Sequence, residues 1–173
     1  VPFTDGRVVF IGGKARRGKQ KRSDYLLRYN ADFPIAVVEA KARFSHAAEG
    51  LQQAKEYAEI LGLRFAYSTN GIEFDYTTGI GRTIGDFPAP ADLWARLRRA
   101  EGIVDEEVAE RLLTPTFPDR AKPLRYYQEI AVNRAVQAAL QGRKRALLTL
   151  CTGAGKTAVA FQICWKLWSA RWN

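Results

Sequence analysis

Apolar residues along the first half of the chain change period twice. Residues 7–11 and 24–29 read as strands bounded by turn-forming residues. In Ile35-Ala36-Val37-Val38 both parities are apolar, the pattern of a strand buried on both faces. From 46 to 61 the spacing becomes helical, with Ala47, Leu51, Ala54, Ala58 and Leu61 recurring on one face and Gly62 placed as a C-terminal stop. Strand spacing returns at 65–68 and 72–76, which flank Asn70-Gly71, the dipeptide of a tight hairpin. Residues 12–22 read as a glycine-containing basic loop, and Asp32-Phe33-Pro34 separates the second strand from the third. The order strand, strand, strand, helix, strand, strand predicts an α/β core.

Phe87-Pro88-Ala89-Pro90 interrupts this pattern, and two short helices are expected at 92–99 and 105–113. Thr114-Pro115-Thr116-Phe117-Pro118, with Pro123 close behind, breaks the chain again. A second unit then opens near Leu124, with a helix over 125–140, a short apolar strand over 146–150 and a further helix from Lys156. The expected division is 1–88, a connector over 89–123, and 124–173.

Composition narrows the class of partner. The 173 residues carry a net charge of +9 at 47% hydrophobic content, enough apolar material for a globular core. Six of the cations, Lys14, Arg16, Arg17, Lys19, Lys21 and Arg22, crowd into nine positions without an intervening acid, which points to a phosphate-rich partner. Cys151 and Cys164 have neither disulfide-framework nor metal-site spacing, as expected of a cytoplasmic protein. No apolar run is long enough to span a membrane and no signal peptide opens the chain. Methionine is absent even at position 1, so the natural start is expected to lie elsewhere.

Chemistry concentrates at the end of the buried strand, in Glu39-Ala40-Lys41. Alternation puts Glu39 and Lys41 on one face, where charge at a buried strand end costs desolvation energy unless a partner compensates it. Asp24 opens the preceding strand, and a hairpin would bring its carboxylate beside Glu39. Two hard carboxylates suit Mg²⁺, which polarises a phosphodiester and acidifies a bound water, while a lysine stabilises charge in the transition state. A structural ion pair with an unrelated Asp24 is the competing reading. Gln53 and Tyr57 add to the pattern, because four-residue spacing places both on one face of the next helix. Over residues 24–57 the chain resembles the PD-(D/E)xK nuclease fold in its Gln-x-x-x-Tyr subgroup. The resemblance implies that Asp24 and Glu39 are metal ligands, that Lys41 is the catalytic lysine, and that Gln53 and Tyr57 are auxiliary site residues. The acidic early helix common in that fold is not visible; Asp5 is a poor substitute, and His46 receives no role.

A second motif is Thr152-Gly153-Ala154-Gly155-Lys156-Thr157, between the expected strand and helix. Glycines let backbone N–H groups wrap phosphates, Lys156 reaches the β- and γ-phosphates of ATP, Thr157 contacts its Mg²⁺, and the helix N-terminus adds a positive dipole. Leu150 stands where the full phosphate-loop pattern has its first glycine, a variant that resembles superfamily 2 helicases and translocases. Upstream, Leu124-Arg125-Tyr126-Tyr127-Gln128 resembles the adenine-recognition segment of that superfamily, with Gln128 as the adenine reader. The chain stops at Asn173 before any Asp-Glu box, arginine finger or second lobe, so alone it is expected not to hydrolyse ATP.

Nuclease motif, helical connector and the start of a RecA-like motor, in that order, resemble the restriction subunit of type I restriction-modification enzymes. The resemblance implies Mg²⁺-dependent cleavage of double-stranded DNA, ATP-driven translocation, and assembly with methyltransferase and specificity subunits. Two alternatives share these residues. One is a repair-type helicase-nuclease acting on DNA ends, the other a non-catalytic DNA-binding or assembly module.

Overall fold

The apolar run at 35–38 lies inside a five-stranded mixed sheet in the structure, a computed structural model describing residues 2–4, 8–11, 14–17, 21–40, 47–69, 72–75, 79–119 and 121–172. Its strand Phe33–Glu39 (β6) is flanked by Tyr25–Asn30 (β5) and Phe65–Ser68 (β7), and Ile72–Asp75 (β8) and Ile80–Thr83 (β9) complete the order β5-β6-β7-β8-β9. Four short strands precede β5 in two-stranded pairings: Pro2–Thr4 (β1) with Lys21–Arg22 (β4), and Val8–Ile11 (β2) with Lys14–Arg17 (β3).

Strand directions follow from the connections. Only a two-residue turn at 31–32 joins β5 to β6, and a connection that short allows only an antiparallel pair. Between β6 and β7 runs the helix Ala47–Ile60 (α1), long enough for the crossover a parallel pair needs, and the pair is parallel with Glu39 opposite Ser68. The helix packs on β7 and β8. Ala54 and Ala58 are fully buried there, and such small side chains let helix and sheet approach closely. Gly62, at φ 63°, ends the helical stretch as expected, with Leu63 N–H donating to Ala58 O at 2.8 Å. Ala36, Val37, Phe65, Ala66 and Tyr67 have no exposed surface, and each large apolar side chain so buried contributes about 1.5–3 kcal/mol over exposure.

The chain divides into two compact units, Val1–Leu27 with Ile35–Phe87, and Arg28–Pro34 with Pro88–Asn173. The second unit has four helices among the described residues: Pro90–Glu101 (α2), Glu106–Leu112 (α3), Tyr126–Leu140 (α4) and Lys156–Ser169 (α5). Pro90 sits in the first turn of α2, where its missing N–H costs nothing, and left-handed Gly102 closes the helix. Asp105 caps α3 by accepting from Glu107 and Val108 N–H at 2.8 and 3.3 Å. Trp94 stacks on Tyr29 and meets Phe33 edge-on, at centroid distances of 5.1 and 5.3 Å. Val132, Val136, Leu112 and Val159 form the apolar core around α4.

Two expectations are corrected. Residues 14–17 and 21–22, expected within a basic loop, are β-strands. Backbone pairing with β2 and β1 overrides the low strand propensity of lysine, and the two residues Gly12-Gly13 between β2 and β3 were the available hairpin signal. The expected strand at 146–150 is irregular, and Leu147 is 91% exposed. A strand needs a neighbour for its N–H and C=O groups, and no described strand pairs with this segment. The other segments appear within a few residues of their expected bounds, whereas β1 and β9 went unanticipated. Asn70-Gly71 and Tyr76 lie outside the described residues, although β7 and β8 pair antiparallel on either side of that turn.

Candidate active site

The β5–β6 hairpin brings its two carboxylates together as the sequence predicted. Asp24 immediately precedes β5 and Glu39 ends β6, so antiparallel pairing sets them side by side. Asp24 N–H donates to Glu39 Oε1 at 3.2 Å, and Ala40 N–H donates to Asp24 Oδ2 at 2.8 Å. Each carboxylate thus takes a backbone donor from the opposite strand, which fixes both side chains. Glu39 is 1% exposed while Asp24 is open to solvent. The backbone of Glu39 is held as well, its carbonyl accepting from Thr69 N–H at 3.1 Å.

Ser68 lies opposite Glu39 on β7 with no exposed surface, and its Oγ has no hydrogen-bond partner among the described residues. Partners in adjacent parallel strands project to the same face, so a buried hydroxyl accompanies the buried carboxylate. Two carboxylates joined by such a hydroxyl form a hard-oxygen environment that suits a small dication. No group of three or more His, Cys, Asp or Glu side chains capable of holding a metal occurs among the described residues. Mg²⁺ held by one or two carboxylates usually keeps several waters in its shell. Lys41 and His46 lie outside the described residues.

Helix α1 supplies the other side-chain pair, Gln53 Nε2 donating to Tyr57 OH at 3.0 Å across one helical turn. Tyr57 is 8% exposed, and the Lys21 ammonium stands 5.7 Å from its ring centroid. Lys21 also pairs with Glu56. The sequence pattern did not single out Lys21 and Glu56 as a pair, since they are 35 positions apart. The one available hint was that Lys21 stands three residues before Asp24.

In the second unit the glycine-rich loop has the backbone its sequence demands. Gly153 and Gly155 adopt φ of 79° and 80°, and α5 begins at Lys156, leaving Lys156 and Thr157 exposed at the helix N-terminus. Gln128 is 9% exposed and reaches this loop, Nε2 donating to Ala154 O at 2.8 Å while Oε1 accepts from Arg125 N–H at 2.9 Å. One hydrogen on Nε2 is left over from these two bonds. Thr152 is exposed and Ala154 is buried.

Sequence reasoning also passed over Lys166, which is 1% exposed in the apolar part of α5. Its ammonium donates to Leu112 O at 3.1 Å, at the C-terminus of α3, and to Asn133 Oδ1 at 2.9 Å. Burial pushes its pKa down from 10.5 to about 8, with the Asp32 and Glu129 carboxylates opposing the shift. Gln162 is likewise buried, its amide bridging both backbone groups of Phe117 at 2.8 and 3.2 Å. Both cysteines are free and exposed, and no helix among the described residues is long and apolar enough to cross a membrane.

Comparison with known proteins covers both units. Residues 121–173 match the family model described as the type III restriction enzyme res subunit. Over 99% of its length the chain is 37% identical to the type I restriction enzyme EcoAI endonuclease subunit of Escherichia coli, of which it spans 22%. It is also similar to a solved fragment described as an HsdR subunit of a type I restriction enzyme from Vibrio vulnificus YJ016. That match is 60% identical with a TM-score of 0.87 and covers 99% of this chain and 33% of the other.

Proposed function

The chain is homologous along 99% of its length to endonuclease subunits of type I restriction enzymes, and from that premise we propose that its first unit is a Mg²⁺-dependent, PD-(D/E)xK-type DNA-cleaving centre and its second the beginning of an ATP-driven DNA motor. The observation that carries the nuclease reading is the placement of the two carboxylates by backbone donors, Asp24 N–H to Glu39 Oε1 and Ala40 N–H to Asp24 Oδ2. A buried carboxylate and an exposed one are fixed side by side at the end of a core strand, an arrangement of hard oxygens that suits a dication.

In this reading Asp24 and Glu39 hold Mg²⁺, and Lys41 is the catalytic lysine. When bound, the metal would polarise the scissile phosphate and acidify a water. Glu39 cannot swing away, because its backbone is bound to β7 and its side chain is enclosed, so the site is preorganised. Gln53 and Tyr57 present an amide and a phenol from the neighbouring helix, both able to bond the DNA backbone.

Lys156, Thr157 and the N–H groups of Gly153 and Gly155 would receive the ATP phosphates and their Mg²⁺, while Ala154 N–H closes the loop on Cys151 O. Gln128 retains one amide hydrogen toward adenine while bracing the loop through Ala154. The substrate is double-stranded DNA. The partners are methyltransferase and specificity subunits in a cytoplasmic complex, and translocation couples to cutting only in the full-length subunit.

Titration of this chain with Mn²⁺, followed by electron paramagnetic resonance, tests the first half of the proposal. Wild-type chain binds the ion and Asp24→Asn/Glu39→Gln does not; equal binding by both refutes the assignment.

A further inference from the structure

We propose that Lys21 is a ligand for the phosphodiester backbone of duplex DNA, held ready at the cleavage site by the Tyr57 ring and kept by Glu56 until a phosphate replaces that carboxylate. The proposal rests on the nuclease reading of the first unit and assigns the substrate a specific contact within it.

Three observations place Lys21 there. Its ammonium stands over the Tyr57 ring at 5.7 Å, and Tyr57 is itself nearly buried and bonded to Gln53, so the platform is rigid. Its chain position is three residues before Asp24, which at about 3.3–3.6 Å per residue keeps their Cα atoms within about 11 Å. Finally, it lies in a run, 14–22, that holds six cations and no acid, with Lys14 and Arg22 exposed. A duplex drawn to that run arrives beside the carboxylates.

Charge balance explains Glu56. Asp24 and Glu39 repel a phosphate, so a cation fixed beside them offsets that repulsion for the incoming backbone. A lysine left alone on a mobile stem would be a diffuse charge. Glu56 pins it at side-chain exposures of 29% and 55%, and a pair this open to water is worth about 0–1 kcal/mol. A DNA phosphate can therefore displace the carboxylate at little cost, and the aromatic platform keeps the ammonium in place during the exchange. Lys21 acts on substrate binding rather than on the bond being broken, so its loss shows in KM more than in kcat.

The experiment measures binding of a duplex oligonucleotide to the intact subunit by fluorescence anisotropy without Mg²⁺, so that cleavage plays no part. Lys21→Gln weakens binding and reduces the salt slope by about 0.9, the loss of one phosphate contact, so its defect shrinks about threefold between 50 and 200 mM salt. Lys21→Arg restores both, and Glu56→Gln binds more tightly than wild type because the competing carboxylate is gone. An unchanged salt slope in Lys21→Gln overturns the proposal, as does weaker binding by Glu56→Gln, which would make the pair purely structural. If Glu39→Gln still cuts DNA while Lys21→Gln shows the reduced slope, the nuclease assignment falls and the phosphate contact stands.

Discussion

Gln128 fills the space that a side chain on Gly155 would need: a Cβ built there collides with Gln128 Nε2, and the backbone is already at φ 80°. Two independent constraints thus hold this position to glycine, one conformational and one steric. Gly155→Ala costs about 1–2 kcal/mol for the left-handed backbone alone. It also displaces the amide that braces the loop at Ala154. ATP affinity of the full-length subunit, measured by calorimetry, is expected to fall at least about tenfold. The double variant Gln128→Ala/Gly155→Ala relieves the collision but also removes the brace at Ala154 and the proposed adenine contact, so it does not recover the ATP affinity.

Lys166 predicts a pH dependence of stability. Its folded pKa of about 8 lies below its ordinary 10.5, so between those values the unfolded chain binds more protons than the folded one. Stability therefore rises as pH increases from 8 to 10.5, by up to about 3 kcal/mol from this group. Urea titrations across this range should show that rise in wild type relative to Lys166→Met, whose methionine cannot titrate. Parallel curves for the two proteins would contradict the burial of a charged amine.

Trp94 joins α2 to the turn of the β5–β6 hairpin within the second unit through Tyr29 and Phe33. It is 7% exposed, and Trp94→Ala should destabilise the protein by about 3–5 kcal/mol, read as a lower urea midpoint. Trp94→Phe keeps an aromatic partner for both neighbours and should lose less than half as much.

The α/β order and the carboxylate pair were legible because periodicity and strand alternation are local. Ile35 to Val38 could only be a core strand, and one turn of hairpin geometry carries Asp24 to Glu39. Gln53 and Tyr57 were legible for the same reason, a spacing within one helix. Residues 14–17 were not, because strand formation by Lys14, Arg16 and Arg17 depends on backbone pairing with β2 and not on their own propensity. The segment 146–150 failed in the opposite sense, having strand composition but no paired neighbour among the described strands. Lys21 on Tyr57 and Lys166 against α3 are tertiary contacts between distant positions, beyond the reach of any window of sequence.

Removing the hydrogen bond between Gln53 and Tyr57 separates support from chemistry. Tyr57→Phe keeps the ring under Lys21 and removes the acceptor for Gln53, a change of about 1 kcal/mol in stability for that bond. Duplex binding should persist, whereas cleavage by the assembled enzyme should slow if the phenol contacts the DNA backbone during the reaction. Equal cleavage rates would assign Tyr57 to packing alone.

The central claim, that Asp24 and Glu39 form the cleavage centre, is tested most directly by nicking of covalently closed circular DNA by the fully assembled enzyme carrying Glu39→Gln, with ATP consumption followed in the same reaction. The account predicts that ATP is consumed at the wild-type rate while the circles stay closed. Circles nicked at the wild-type rate would contradict it.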